Sequence, residues 1–190
     1  MTNFGEKWHL YFVPECYFDT ILFKKLLQTT KRLVHRKGCN NVANDLDSER
    51  LRDLFAVALI DKDKRELDYL KSCKVLYDDD KLILWKHLTR LHFIIQLNPP
   101  LEHWIVTILG ESGVAIEDLG YSGNFKRLKK QIKLDINSEN DEKLNRLVSA
   151  VIKTDCQTIR KMRAMLVYLK EKNYMTDINE LKNVGTETII

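Results

Sequence analysis

Hydrophobic and polar positions alternate between two rhythms along the first two thirds of the chain. Trp8, His9, Leu10, Tyr11, Phe12 and Val13 form a short apolar run, rich in aromatic and β-branched side chains, that Pro14 ends. That pattern predicts a buried strand. From Tyr17 the spacing changes: Phe18, Ile21, Leu22, Leu26 and Leu33 suit an amphipathic helix with Asp19 in or near its first turn. Lys37, Gly38, Cys39, Asn40 and Asn41 make a break with turn chemistry, and Val42, Leu46 and Leu51 predict a short second helix. Residues 54–60, Leu-Phe-Ala-Val-Ala-Leu-Ile, are apolar throughout, as expected of a central strand covered on both faces, and they end abruptly in Asp61, Lys62, Asp63, Lys64, Arg65 and Glu66.

A helical stretch over 66–72 and a weak strand over 74–77 follow, then strands over 82–85 and 93–97. Asn98, Pro99 and Pro100 stop the last of these and start a helix over about 102–109, because proline suits a first helical turn. The order β-α-α-β-α-β-β-β-α predicts an α/β fold with a partly parallel sheet and helices on both faces. Beyond Gly120 only helical spacing is found, in Leu144, Leu147, Val148 and Val151 and in Ile159, Met162, Leu166 and Leu169. The expected division is an α/β core over 1–120 and a helical extension over 121–190.

Composition narrows the class. With 190 residues, 44% hydrophobic and 31% charged, and only three prolines and seven glycines, the chain is long enough to bury a core and is not of low complexity. No apolar stretch approaches a membrane span, and the first residues lack a signal-peptide pattern, so a cytoplasmic protein with no membrane partner is expected. Cys16, Cys39, Cys73 and Cys156 are widely spaced and read as buried or idle thiols, not as a disulfide frame or a zinc site. Net charge is +4, too small to announce a nucleic-acid binder, but its distribution is uneven. Lys24, Lys25, Lys31, Arg32, Arg36 and Lys37 occupy a stretch without acids, acids crowd between Asp45 and Asp80, and a second basic run spans 125–130. Such blocks suit either solvated helix faces or a phosphate-attracting surface beside a cation pocket. In the second case Lys24, Lys31, Arg36 and Lys37 are the residues expected to guide nucleic acid.

Ligands of open α/β sheets bind beyond the carboxyl ends of the parallel strands. Two predicted strands end there in acids: the first in Glu15, the central one in Asp61 and Asp63. In an extended Asp-Lys-Asp the two carboxylates point the same way. Three carboxylates at one sheet edge repel unless a cation sits among them, and Mg²⁺ or Mn²⁺, a hard ion taking oxygen ligands, meets that need. Lys62 and Lys64 are expected to neutralise this turn. The same acids also fit a solvated loop, and Asp19 and Glu102 also fit helix N-termini, where negative charge complements the dipole.

Taken together, these elements resemble the Toprim domain shared by primases, topoisomerases and the nucleases of the overcoming-lysogenization-defect family. Glu15 and Asp19 stand in its E-x-x-x-D spacing, residues 59–63, Leu-Ile-Asp-Lys-Asp, match its strand-closing DxD, and a Gly38 turn lies between. Glu102, in Leu101-Glu102-His103-Trp104, matches the further glutamate of the nuclease branch. The resemblance covers about the first 110 residues. It implies that Glu15, Asp61 and Asp63 are the catalytic carboxylates and metal ligands, with Asp19 and Glu102 as additional ligands. It implies Mg²⁺-dependent phosphodiester hydrolysis on DNA or RNA, and a separate ATPase partner. Two departures, Cys16 where the family has a glycine and a single glycine in the intermediate segment, favour a rival reading as a non-catalytic interaction or nucleotide-sensing module.

A third reading, a phosphatase or phosphotransferase with Asp61 as nucleophile, also fits a DxD-bearing α/β core. No P-loop, dinucleotide glycine motif, nucleophile elbow or zinc-spaced histidine set occurs in the sequence, which excludes those chemistries as leading readings. A 190-residue chain also leaves no room for the tyrosine-bearing module of a topoisomerase, and no zinc-binding element of a primase is present.

Overall fold

A computed structural model describes residues 10–30, 33, 35–62, 67–134, 136 and 138–184. Five strands form one mixed sheet: β1 (Leu10–Pro14), β2 (Phe55–Asp61), β3 (Cys73–Asp78), β4 (Leu82–His87) and β5 (His92–Leu97), in the order β1-β2-β5-β4-β3. β1, β2 and β5 run parallel, whereas β4 is antiparallel to both its neighbours. The sheet is thus parallel in one half and a meander in the other, the partly parallel α/β arrangement that the periodicity predicts.

Among the described residues seven α-helices accompany it. They are α1 (Tyr17–Leu26), α2 (Cys39–Asp47), α3 (Leu101–Gly110), α4 (Phe125–Lys129), α5 (Glu142–Lys153), α6 (Gln157–Lys172) and α7 (Ile178–Asn183). The wholly buried strand β2 shows why both faces must be covered. Phe55, Val57 and Leu59 point to one side, with Phe18 and Leu22 of α1, Trp104 and Ile108 of α3, and the apolar stripes of α5 and α6. Ala56, Ala58 and Ile60 point to the other, against Val42 and Leu46 of α2. One cover is several helices deep and the other thin.

The helices after residue 120 belong to the thick layer. Leu144, Leu147, Val148 and Val151 of α5 and Ile159, Met162, Leu166 and Leu169 of α6 are fully buried in the same core as α1 and α3. Each such side chain is worth about 1.5–3 kcal/mol when removed from water, so this packing holds the C-terminal segment firmly over the sheet. No helix among the described residues is long and apolar enough to cross a membrane.

Local boundaries shift where side-chain chemistry intervenes. α2 stops at Asp47 and does not reach Leu51, because the backbone turns extended at Ser48; Leu51 is nonetheless fully buried in the turns that follow. The stretch before β3 winds as a tighter 3₁₀ segment, Asp68–Ser72, with Glu66 outside the described residues. Between α4 and α5 the chain makes a wide π-helical turn, Lys130–Leu134, a geometry frequent at functional sites.

Candidate functional site

Parallel pairing of β1 with β2 decides what meets at the sheet edge. Pro14 is opposite Leu59, and the Glu15 amide donates to the Leu59 carbonyl at 3.1 Å, so Glu15 leaves its strand level with the last residues of β2. The Asp61 amide in turn donates to Glu15 Oε2 at 3.1 Å. Glu15 and Asp61 are 5% and 7% exposed, two buried acids side by side, and they need a counter-charge.

Lys133, on the π-helical turn, supplies it. Its Nζ lies 3.0 Å from Glu15 Oε1 and 2.9 Å from Asp61 Oδ2. The other oxygens are also engaged. The Leu101 amide, in the first turn of α3, donates to Asp61 Oδ2 at 3.1 Å, and the Cys39 thiol, at the start of α2, donates to Glu15 Oε2 at 2.8 Å. Cys39 Sγ is also 3.6 Å from the Asp61 carbonyl and 3.7 Å from Asp61 Oδ1. Five elements therefore converge on one spot: the ends of β1 and β2, two helix N-termini, and a turn of the C-terminal segment.

The charges divide unequally. Burial pushes Glu15 upward, and the neighbouring Asp61 adds to this, against the pull of Lys133 and Cys39. Burial also works to raise Asp61, but hydrogen bonds from Glu15, Lys133 and the Leu101 amide, with the Lys133 charge, hold it below the usual carboxylate range. Asp61 is the ionised partner and Glu15 the one that takes a proton first. Burial alone would lower Lys133, yet Glu15 and Asp61 outweigh it and keep the ammonium charged. Burial and then the charge of Glu15 push the Cys39 thiol far up.

A cavity of about 720 Å³ opens beside this cluster. Glu15, Asp61, Cys39, Glu102 and Lys133 line it, and Lys37, Lys62 and Lys129 bring further positive charge to its wall. Glu102 is 7% exposed, and its Oε2 is buried with no hydrogen-bond partner among the described residues.

The predicted site residues separate into groups. Glu15 and Asp61 meet, with Glu102 on the same cavity. Asp19 is buried close by but turned back on its own helix, where its Oδ2 accepts from the Cys16 amide at 3.1 Å and the Cys16 thiol at 3.2 Å and so caps α1. Burial, then the charge of Glu15, raises it well above the usual carboxylate value. Asp63, Lys64 and Lys31 lie outside the described residues. Of the basic residues, Lys37 lines the cavity, whereas Arg36 pairs with Asp45 in a neighbouring hollow and Lys24 pairs with Glu139.

Two residues of the cluster are not reached by sequence reasoning. Cys39, an idle thiol by its spacing, touches both acids. Lys133, and not Lys62, is the cation set against them. The signal for Lys133 is indirect: buried paired acids require a cation, and a basic run begins shortly before it, at Lys126.

The donor set fits a divalent cation. Glu15, Cys39 and Asp61 each offer a ligand atom, all within 4.8 Å of one another, while Glu102 lines the same cavity outside that group and Lys133 places a positive charge against both acids. Comparison with family models, curated proteins and solved structures gave no match.

Proposed function

We propose that the protein is a Toprim-like, divalent-cation-dependent hydrolase that cleaves phosphodiester bonds of nucleic acid, with Glu15 and Asp61 at its centre. The observation that carries this reading is the meeting of those two buried carboxylates at the carboxyl ends of adjacent parallel strands, in a cavity walled by lysines. A bound Mg²⁺ or Mn²⁺ would orient the scissile phosphate and activate water. Asp61, held ionised by the Leu101 amide and Lys133, is the principal cation ligand. Glu15 is a second ligand or takes the proton from the attacking water. Lys37, Lys62 and Lys129 line the approach and attract the phosphate backbone. Action in the cytoplasm, with a separate ATPase as partner, belongs to the same proposal.

One observation favours the alternative, a non-catalytic module of the same design: the place between the carboxylates is already taken by Lys133. The phosphotransferase reading gains no such support: Asp61 Oδ2 accepts from the Leu101 amide and Lys133, and Oδ1 faces the Cys39 sulfur at 3.7 Å. Calorimetric titration with Mn²⁺ and Mg²⁺ separates the first two readings. Saturable binding by the wild type that Asp61→Asn abolishes is the expected result, followed by cation-dependent cleavage of DNA or RNA that Glu15→Gln abolishes. Negligible binding by both proteins would overturn the hydrolase reading in favour of the module.

A further inference from the structure

The phosphodiester reading makes no use of Cys39, yet the Cys39 thiol is in hydrogen-bond contact with Glu15. Its Sγ is 2.8 Å from Glu15 Oε2 and 3.7 Å from Asp61 Oδ1, and it is 8% exposed. The backbone sets this placement: Gly38, at φ 91°, turns the chain so that Cys39 begins α2 with its side chain over the sheet edge.

Sulfur changes which cation the cluster suits. Mg²⁺ seeks oxygen ligands and keeps its waters, whereas a thiolate selects borderline dications such as zinc and cobalt. One further feature points to a ligand here: Glu102 lines the same cavity, is 7% exposed, and its buried Oε2 has no hydrogen-bond partner among the described residues.

We propose that Glu15, Cys39 and Asp61 form a mixed thiolate–carboxylate site for a borderline transition-metal dication of the zinc and cobalt class, with Cys39 Sγ as a ligand and the metal replacing the Lys133 ammonium. The inference rests on the cation-dependent reading above and specifies its metal. On binding, the Cys39 S–H bond breaks, its proton passes to solvent, and the sulfur lone pair bonds to the metal with no change of oxidation state. A dication with a thiolate carries the same net charge as an ammonium with a thiol. The exchange therefore leaves the charge opposite the two carboxylates unchanged, which a dication entering among oxygen ligands alone would not do.

Co²⁺ titration of the full chain tests this through the near-ultraviolet sulfur-to-cobalt charge-transfer band. The band is expected in the wild type, retained in Cys73→Ser and lost in Cys39→Ser. X-ray absorption of the zinc-loaded wild type needs no variant to fold, and it should show a sulfur shell at roughly 2.3 Å. A band that survives Cys39→Ser, or a zinc shell of oxygen and nitrogen alone, would overturn the proposal. Saturable Mn²⁺ or Mg²⁺ binding without sulfur ligation of cobalt or zinc overturns this inference and leaves the hydrolase reading standing. No binding of any of the four ions overturns both.

Discussion

Replacing Lys133 by methionine tests how the buried acids are held. The lysine side chain is 13% exposed, the side chains of Glu15 and Asp61 are 7% and 9% exposed, and the two ion pairs measure 3.0 and 2.9 Å. Methionine preserves much of the side-chain volume and removes the charge, leaving two buried carboxyl groups side by side without a counter-charge. Breaking a buried pair from one side costs about 3–5 kcal/mol. For a chain of this size that corresponds to a fall in Tm of roughly 6–20 °C.

The deficit must depend on pH. Lys133 works to lower Glu15, which burial and Asp61 already hold above its ordinary value, so in Lys133→Met Glu15 rises further. The folded variant then binds a proton that the unfolded chain releases, and its stability falls as pH rises above the ordinary glutamate pKa. Thermal melts followed by circular dichroism between about pH 5 and pH 8 should show the gap to wild type narrowing on acidification. Adding Asp61→Asn and Glu15→Gln to the lysine variant should recover much of the lost stability, since neutral groups no longer repel. A fall in Tm below about 2 °C, unchanged across that pH range, would refute the reasoning.

Two further substitutions probe the scaffold that carries the site. His92 is fully buried; its Nε2 lies 2.8 Å from the Leu51 carbonyl, which can only accept, and its Nδ1 lies 2.6 Å from the Tyr69 hydroxyl, which therefore donates. Burial lowers its pKa to about 4, so the unfolded chain binds its proton first and stability is lost as pH falls from the ordinary histidine value toward that point. His92→Gln should flatten this acid limb in a plot of Tm against pH; an unchanged slope would show that His92 does not set it. Gly38 adopts φ 91°, ψ 147°, with nothing within 4 Å of an added Cβ, so the cost of Gly38→Ala is purely conformational. A destabilisation of about 1–3 kcal/mol by urea unfolding is expected, and a neutral result would refute the strain argument.

The frame of the site is legible in the chain because it depends on local periods. The apolar run of β2 marks a strand covered on both faces, and the change to helical spacing after Pro14 marks α1. Both strands end in an acid, which makes Glu15 and Asp61 candidates for one sheet edge, and the parallel pairing of β1 with β2 is what brings them together. Asp19 shows the limit of spacing. The same position suits a ligand or a helix cap, and only the hydrogen bonds of its Oδ2 to Cys16 distinguish them.

The α/β class, the helical character of the C-terminal third and the two acids at the sheet edge are each written in neighbouring residues, and so follow from the order of amino acids. The counter-charge and the sulfur follow only from packing. Lys133 lies 118 residues from Glu15 and 72 from Asp61, on a π-helical turn whose position depends on α4 and α5 packing over the sheet. Cys39 lies 24 residues from Glu15 and 22 from Asp61, and reaches both because α2 crosses to the other face of the sheet and starts above its edge. No period relates such positions. They meet because burying the apolar faces of α2, α5 and α6 leaves these side chains beside two acids whose charge has to be met.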